Sequence, residues 1–206
     1  METGLHKLRV LEVGGGVPAA MAAKLMADLG AQVVKIEPPQ GDPVRHAGPF
    51  PPGRHDPESS GPHLYLNTNK RSLVLDLTRA DGQQALRDLA ARAQLVVHGL
   101  PPRQMAACGL DYAALSAANP ALVLLSITPF GLSGPYQDYA ANDLTLTHGG
   151  GWGWLCPGKS TPPERPPIKP FGQHSLTQAG LHGAVAALAA VYGAARSGVG
   201  EHLDLS

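Results

Sequence analysis

Apolar and polar positions along this chain follow two periods, and the switches between them mark its elements. Val10, Leu11 and Val13 form a short apolar run, followed by Gly14-Gly15-Gly16, where the chain can turn more sharply than bulkier residues permit. Met21, Leu25, Met26 and Leu29 then recur at the spacing of one helix face. Pro18 suits the first helical turn, where a missing N–H costs nothing, and Gly30 suits the C-terminal stop. Ala31 to Ile36 is a second β-rich run ending on Glu37. Residues 10–37 thus predict strand, glycine turn, helix and strand, a right-handed βαβ unit with parallel strands.

The pattern then lapses. From Pro38-Pro39 to about Pro62 the prolines forbid sustained helix or ladder, and a loop this long is either functional or disordered. Asn69-Lys70-Arg71-Ser72 reads as a turn into a strand, LVLDL, bracketed at its end by Asp76 and Thr78. Asp81 to Ala93 carries Ala85, Leu86, Leu89 and Ala90 on one helical face, with Thr78 as its expected cap. Leu95-Val96-Val97 predicts a buried strand closing a second βαβ unit. Two short helices follow, one from Pro101-Pro102 through Met105 and one over Tyr112 to Ala118. Leu122 to Ile127, the most apolar run, predicts a central strand. Asn142 opens a further helix as its cap. Thr161 to Pro170 is proline-rich and extended. Ala179 to Ala195, made almost wholly of small residues, predicts a helix on which another helix or backbone packs closely. The final residues, 196–206, turn into a strand at the very end of the chain, which suggests an incomplete protein.

Composition narrows the picture. A chain of 206 residues holds one good-sized domain, or one and a small second. Its 16 basic and 16 acidic residues balance, which gives no electrostatic footprint for nucleic acid or an anionic membrane. Cys108 and Cys156 lie far apart without the spacing of a zinc site or disulfide scaffold, which fits a reducing compartment. The N-terminus is polar and no apolar run approaches about 18 residues. A cytoplasmic protein is the default. The 20 prolines and 25 glycines are dispersed among periodic segments, so disorder throughout is not expected, and no internal repeat is present.

Several stretches carry possible chemistry. Gly14-x-Gly16-x-x-Ala19 with Glu37 matches the spacing of a dinucleotide site, an NAD(P)-binding oxidoreductase domain included; glycine-rich βα turns are also common where nothing binds. Lys70 and Arg71 read either as an anion contact or as a solvated turn. His46, His55 and His63 lack metal-site spacing. The stretch from His148 to Trp154, with its two indoles, reads either as a cover for a ligand or as a surface loop.

Longer motifs run in order over nearly the whole chain. They are Met26-Ala27-Asp28-Leu29-Gly30-Ala31 with Val33-Val34-Lys35-Ile36-Glu37, Gly41-Asp42-Pro43-x-Arg45, and Asn69-Lys70-Arg71-Ser72-x-x-Leu75-Asp76-Leu77. Further along come Asn119-Pro120, Phe130-Gly131-x-x-Gly134-Pro135-Tyr136 with Asp143-Leu144, Ala179-Gly180-Leu181, and Gly198-x-Gly200-x-x-x-Asp204-x-Ser206. With these, the chain resembles the class III CoA-transferases, the formyl-CoA transferase, carnitine CoA-transferase and acyl-CoA racemase family, and the resemblance overturns the NAD reading.

The resemblance implies an α/β fold, an open and mostly parallel Rossmann-like sheet with helices on both faces. Residues 1–206 would form the N-terminal CoA-binding half of an enzyme about twice as long, with residues 1–37 as the first βαβ unit, 38–62 as a loop, and 179–206 leading towards a second domain. It implies no tightly bound cofactor; CoA and acyl-CoA are substrates, exchanged with a carboxylic acid, usually in an interlocked homodimer, with a complementary second half as the other possible partner. By motif position, CoA contacts fall at Val17, Pro18, Leu75, Asp76, Leu77, Thr78, Gly99, Leu100 and Pro101, with Asp143 beside the thioester. Two arginines of the family are replaced by Pro38 and Ala107; Arg103, Lys70 and Arg71 are the candidate substitutes. In the family, a carboxylate four residues before the glycine of Ala-Gly-Leu attacks the thioester, forms a mixed anhydride and then carries CoA. Here that position is Leu176, and the racemase histidine position is Asn142. No catalytic residue is assigned; His174 and Ser175 lie close in sequence, but one step along a helix swings a side chain by about 100°.

Overall fold

The structure, a computed structural model, describes residues 4–155, 164 and 166–206. Its first unit follows the predicted pattern: β1 (Arg9–Val13), α1 (Val17–Asp28) and β2 (Gln32–Glu37), with β1 and β2 parallel and Val10 opposite Val33. α2 (Gly61–Leu66), β3 (Arg71–Val74), α3 (Ala80–Ala90) and β4 (Leu95–His98) follow. The order then runs α4 (Pro102–Ala107), α5 (Tyr112–Ala118), β5 (Val123–Ile127), α6 (Asp143–Gly149), α7 (Trp152–Leu155), α8 (His174–Ser197) and β6 (His202–Leu205). The six strands make one sheet, ordered β3-β2-β1-β4-β5-β6, and every pairing is parallel.

Two cores follow from the pleat, since alternate residues of a strand face opposite sides. Val10, Val33, Leu95, Val97, Val123 and Leu125 meet α1 and α8 on one face. Leu11, Val13, Ile36, Val96 and Leu124 meet α3 and α5 on the other, through Leu86, Ala90 and Leu115. The small-residue helix packs as its composition predicts. A Cβ added at Gly180 of α8 would stand 2.6 Å from both the Met21 Cβ and the Pro18 carbonyl oxygen of α1, so only glycine lets these helices approach.

Four expectations are corrected. The 38–62 segment is neither structureless nor disordered: Pro43–His46 forms a 3-10 turn capped by Asp42, and the Ser60 hydroxyl donates to the carbonyls of Val44 and Ala47. A helix, α2, occupies Gly61–Leu66, where the glycine and proline at its first turn conceal it from periodicity. The edge strand β3 is Arg71–Val74, so Leu75 and Leu77 of the expected strand instead pack on the second core. Thr78 does not cap α3; its hydroxyl donates to Asp76 Oδ1 at 2.6 Å and the helix begins two residues later. Among the described residues no helix is long and apolar enough to cross a membrane. Cys156 and four residues of the proline-rich stretch from Thr161 to Pro170 lie outside the described residues.

Candidate functional site

The strand order reverses between β1 and β4, and loops leaving the carboxyl ends of such strands part there to leave a crevice. A cleft of about 1150 Å³ occupies this place. The β1–α1 turn supplies Gly15, Gly16, Val17 and Pro18; Gly99 follows β4, Ile127 to Phe130 end β5, and Leu205 and Ser206 end β6. The first turns of α8 close the opposite wall with His174, Ser175, Leu176 and Ala179, and Leu146, Thr147 and Trp152 complete it from α6 and α7.

The β1–α1 turn is held by what lies behind it. A Cβ at Gly15 would come within 2.6 Å of Pro43 Cδ and 2.8 Å of Asp42 Oδ1, so the turn lies directly on the Gly41-Asp42-Pro43 loop. That loop is fixed by a buried network of three carboxylates and three cations. Lys35 pairs with both Glu12 and Asp42. Lys70 Nζ contacts Glu12 Oε2 at 2.6 Å and donates to the Ala20 carbonyl of α1 at 2.8 Å. Arg45 grips Glu37 with two N–H groups, at 2.6 and 2.8 Å, while Ser72 Oγ and the Asp42 N–H also donate to that carboxylate. Burial pushes the Glu37 carboxyl upwards, but these hydrogen bonds outweigh it and hold its pKa at about 2.

This network corrects two readings of the sequence. Glu37 is not free to bind a ribose: both its oxygens are taken and it is 2 % exposed. Lys70 is neither an anion contact nor part of a solvated turn, but the buried counter-ion of Glu12 across 58 residues of sequence. Arg71 beside it is exposed. Arg103 pairs with Asp138 at 2.9 Å.

The residues expected from motif position divide. Val17, Pro18 and Gly99 line the cleft, as does Leu176. Leu75, Asp76, Leu77 and Thr78 lie at the carboxyl end of β3, two strands away on the same edge of the sheet, and do not line it. Leu100 and Pro101 leave β4 beside Gly99 without lining the cleft. Asp143 is buried behind it: Oδ1 accepts the Leu176 N–H at 3.2 Å and Oδ2 pairs with Lys169 at 3.3 Å. Asp143 therefore caps α8 from another element, because Gln173 at its N-cap makes no side-chain cap. Asn142 caps α6 in a reciprocal box with Thr145, as its type predicts. Ser175 Oγ is bonded to Thr147 Oγ1 at 2.8 Å, and His174 stacks on Trp152 with centroids 4.6 Å apart. The two indoles separate in role: Trp152 borders the cleft, while Trp154 is 77 % exposed. Among the described residues no cluster of His, Cys, Asp or Glu has the makings of a metal site.

A hydrogen-bonded chain across β4, β5 and β6 escapes the sequence reading. His98 Nε2 lies 2.7 Å from Ser126 Oγ, which lies 2.8 Å from His202 Nε2, so the carboxyl ends of β4 and β5 are tied to the first residue of β6. The available hint is a polar residue interrupting each apolar strand. Register sets His98 opposite Ser126, whereas His202, opposite Leu124, reaches the serine diagonally.

An all-parallel α/β domain with a ligand cleft at the reversal of its strand order is a nucleotide-type binding fold. The comparisons make it specific. The pattern of CoA-transferase family III matches residues 5–206, and the chain belongs to that family. It is 34 % identical over its full length to the succinyl-CoA:(R)-benzylsuccinate CoA-transferase subunit BbsE of Thauera aromatica, covering 49 % of that protein. It is also 34 % identical over 98 % of its length to the succinate–glutarate CoA-transferase of Agrobacterium fabrum, covering 50 % of it. A crystal structure of a CAIB/BAIF family protein from Brucella suis superposes with a TM-score of 0.88 at 32 % identity, over the whole of this chain and 53 % of the other. The chain spans about half the length of these relatives.

Proposed function

We propose that this chain is the CoA-thioester-binding half of a cytoplasmic CoA-transferase that moves CoA between an acyl-CoA and a carboxylic acid, and that the attacking carboxylate comes from a second half, either a complementary polypeptide or a partner copy. The observation that carries the proposal is the place of Leu176. It lines the cleft between the βα turn and α8, where the family resemblance calls for the nucleophile. A leucine has no lone pair with which to attack a thioester, and Ser175 and His174 beside it are engaged with Thr147 and Trp152. The word "subunit" in the name of the Thauera relative supports a division of labour between chains. So does the apolar face that α8 leaves uncovered, where Leu181, Val185 and Tyr192 are 42, 65 and 66 % exposed. In this reading Val17, Pro18 and Gly99 bear on the ligand near the thioester, and Leu75 to Thr78, Leu100 and Pro101 form the outer contacts along the same sheet edge.

The same leucine favours a second reading, a catalytically inactive CoA-binding or dimerisation module. Calorimetric titration with CoA and acetyl-CoA tests what both share: saturable binding by the folded chain is expected. A folded protein that takes up neither removes both readings. Acyl transfer on mixing with a complementary half then separates the first from the second.

A further inference from the structure

The chemistry of the cleft wall bears on which acyl groups it takes. Ile127, Phe130, Leu146, Leu176 and Leu205 dominate it, and among the described lining residues there is no Lys, Arg, Asp or Glu. The cations nearby are already engaged. Lys169 is held by Asp143, Arg103 by Asp138, and Lys35, Lys70 and Arg45 are paired within the network behind the βα turn. Among the described lining residues, a carboxylate at the end of an acyl chain would leave water to meet no lysine or arginine, only the imidazoles of His174, which lies against Trp152, and His182, whose Nδ1 is bonded to the Gln178 carbonyl.

An aromatic ring meets the opposite situation. Phe130 stands edge-on to Tyr136 with centroids 6.1 Å apart, and Trp152 lies over His174 on the facing wall. These are surfaces on which a flat apolar group gains both area and ring contacts. One buried polar atom is left over: Thr128 Oγ1 has no hydrogen-bond partner, and Thr128 lines the cleft. It offers one hydroxyl donor and no positive charge.

Resting on the reading that this cleft receives the acyl end of a CoA thioester, we infer that it is built for an uncharged, apolar acyl group, and for an aryl-bearing one above all, rather than for the acyl group of a dicarboxylic acid. The chain would then differ from the Agrobacterium relative, whose name specifies succinate and glutarate, while the name of the Thauera relative pairs succinyl-CoA with an aryl-bearing acid, (R)-benzylsuccinate.

The experiment titrates the purified full chain with phenylacetyl-CoA, succinyl-CoA and CoA, following heat and tryptophan fluorescence. Phenylacetyl-CoA is expected to bind about tenfold tighter than succinyl-CoA, the scale on which a pocket separates apolar from mismatched groups. Trp152→Ala should reduce that ratio to about threefold or less, whereas Trp154→Ala, outside the cleft, should leave it as in the wild type. Binding of CoA with equal affinity for the two thioesters, or with preference for succinyl-CoA, overturns the inference and leaves the proposed function standing. Failure of all three to bind overturns both.

Discussion

At the scale of single residues, the His98–Ser126–His202 chain has a direction that one backbone contact sets at its first bond. The Leu100 N–H donates to His98 Nδ1 at 3.2 Å, so that nitrogen carries no proton and Nε2–H must donate to Ser126 Oγ. The serine hydroxyl then donates to His202 Nε2. His98 must be neutral for the Leu100 bond to survive. Burial, helped by the neighbouring His202, pushes the pKa of His98 down to about 4, and burial lowers that of His202 as well, against the pull of Asp204. A histidine depressed in the folded state binds its proton more readily when unfolded. Its stabilisation is therefore complete above about pH 6.5 and is lost as the pH falls towards 4. Urea unfolding should show a loss of roughly 2 kcal/mol from His98 between pH 6.5 and 5. His98→Asn, whose side-chain oxygen can replace Nδ1 as acceptor, should remove that contribution to the slope and keep the Leu100 amide protected from exchange. His98→Gln should expose this amide. Equal exchange in the two variants would show that His98 does not position the turn beside Gly99.

At the scale of elements, the buried ion network shows how far sequence reading reaches. Lys70 and Arg71 are neighbours of the same charge type, yet one is sealed against Glu12 and Ala20 while the other faces solvent. Lys70→Met should cost on the order of 3 kcal/mol, because it strips a buried carboxylate of a partner, while Arg71→Ala should stay within about 0.5 kcal/mol. Chemical denaturation of both variants at neutral pH checks the contrast; equal costs would mean that the pair with Glu12 contributes nothing. No composition argument distinguishes these two residues, because the partner is brought across by β1, β2 and β3 lying side by side. The first βαβ unit and α5 were legible because period, proline and glycine all agree locally. α2 was hidden by Gly61 and Pro62, which belong at a helix start as much as in a loop. Within the cleft, Val17, Pro18, Gly99 and Leu176 could be found by motif position. Thr128 joins them only through the fold, whereas Phe130 belongs to a motif and Trp152 to the stretch read either as a cover for a ligand or as a surface loop.

At the scale of the whole molecule, a chain spanning half of its relatives presents a formed cleft lined by Leu176, the position we propose for the attack on the thioester. The Leu176 N–H is fixed by Asp143, whose second oxygen is paired with Lys169, so the start of α8 is held in place independently of the side chain at 176. In Leu176→Asp the new carboxylate would enter the cleft close to the Asp143 carboxylate, with Lys169 offsetting part of the repulsion. Mixed with a complementary half and an acyl-CoA, this variant should acquire a covalent CoA thioester, seen as added mass that hydroxylamine removes. The wild type under the same conditions should carry none on this chain, with any adduct lying on its partner. An adduct on wild-type residues 1–206 would place the nucleophile in this half after all. An inert Leu176→Asp chain that still binds CoA would instead mean that the second half supplies more than the attacking oxygen, through groups that orient the thioester or bind the acceptor acid.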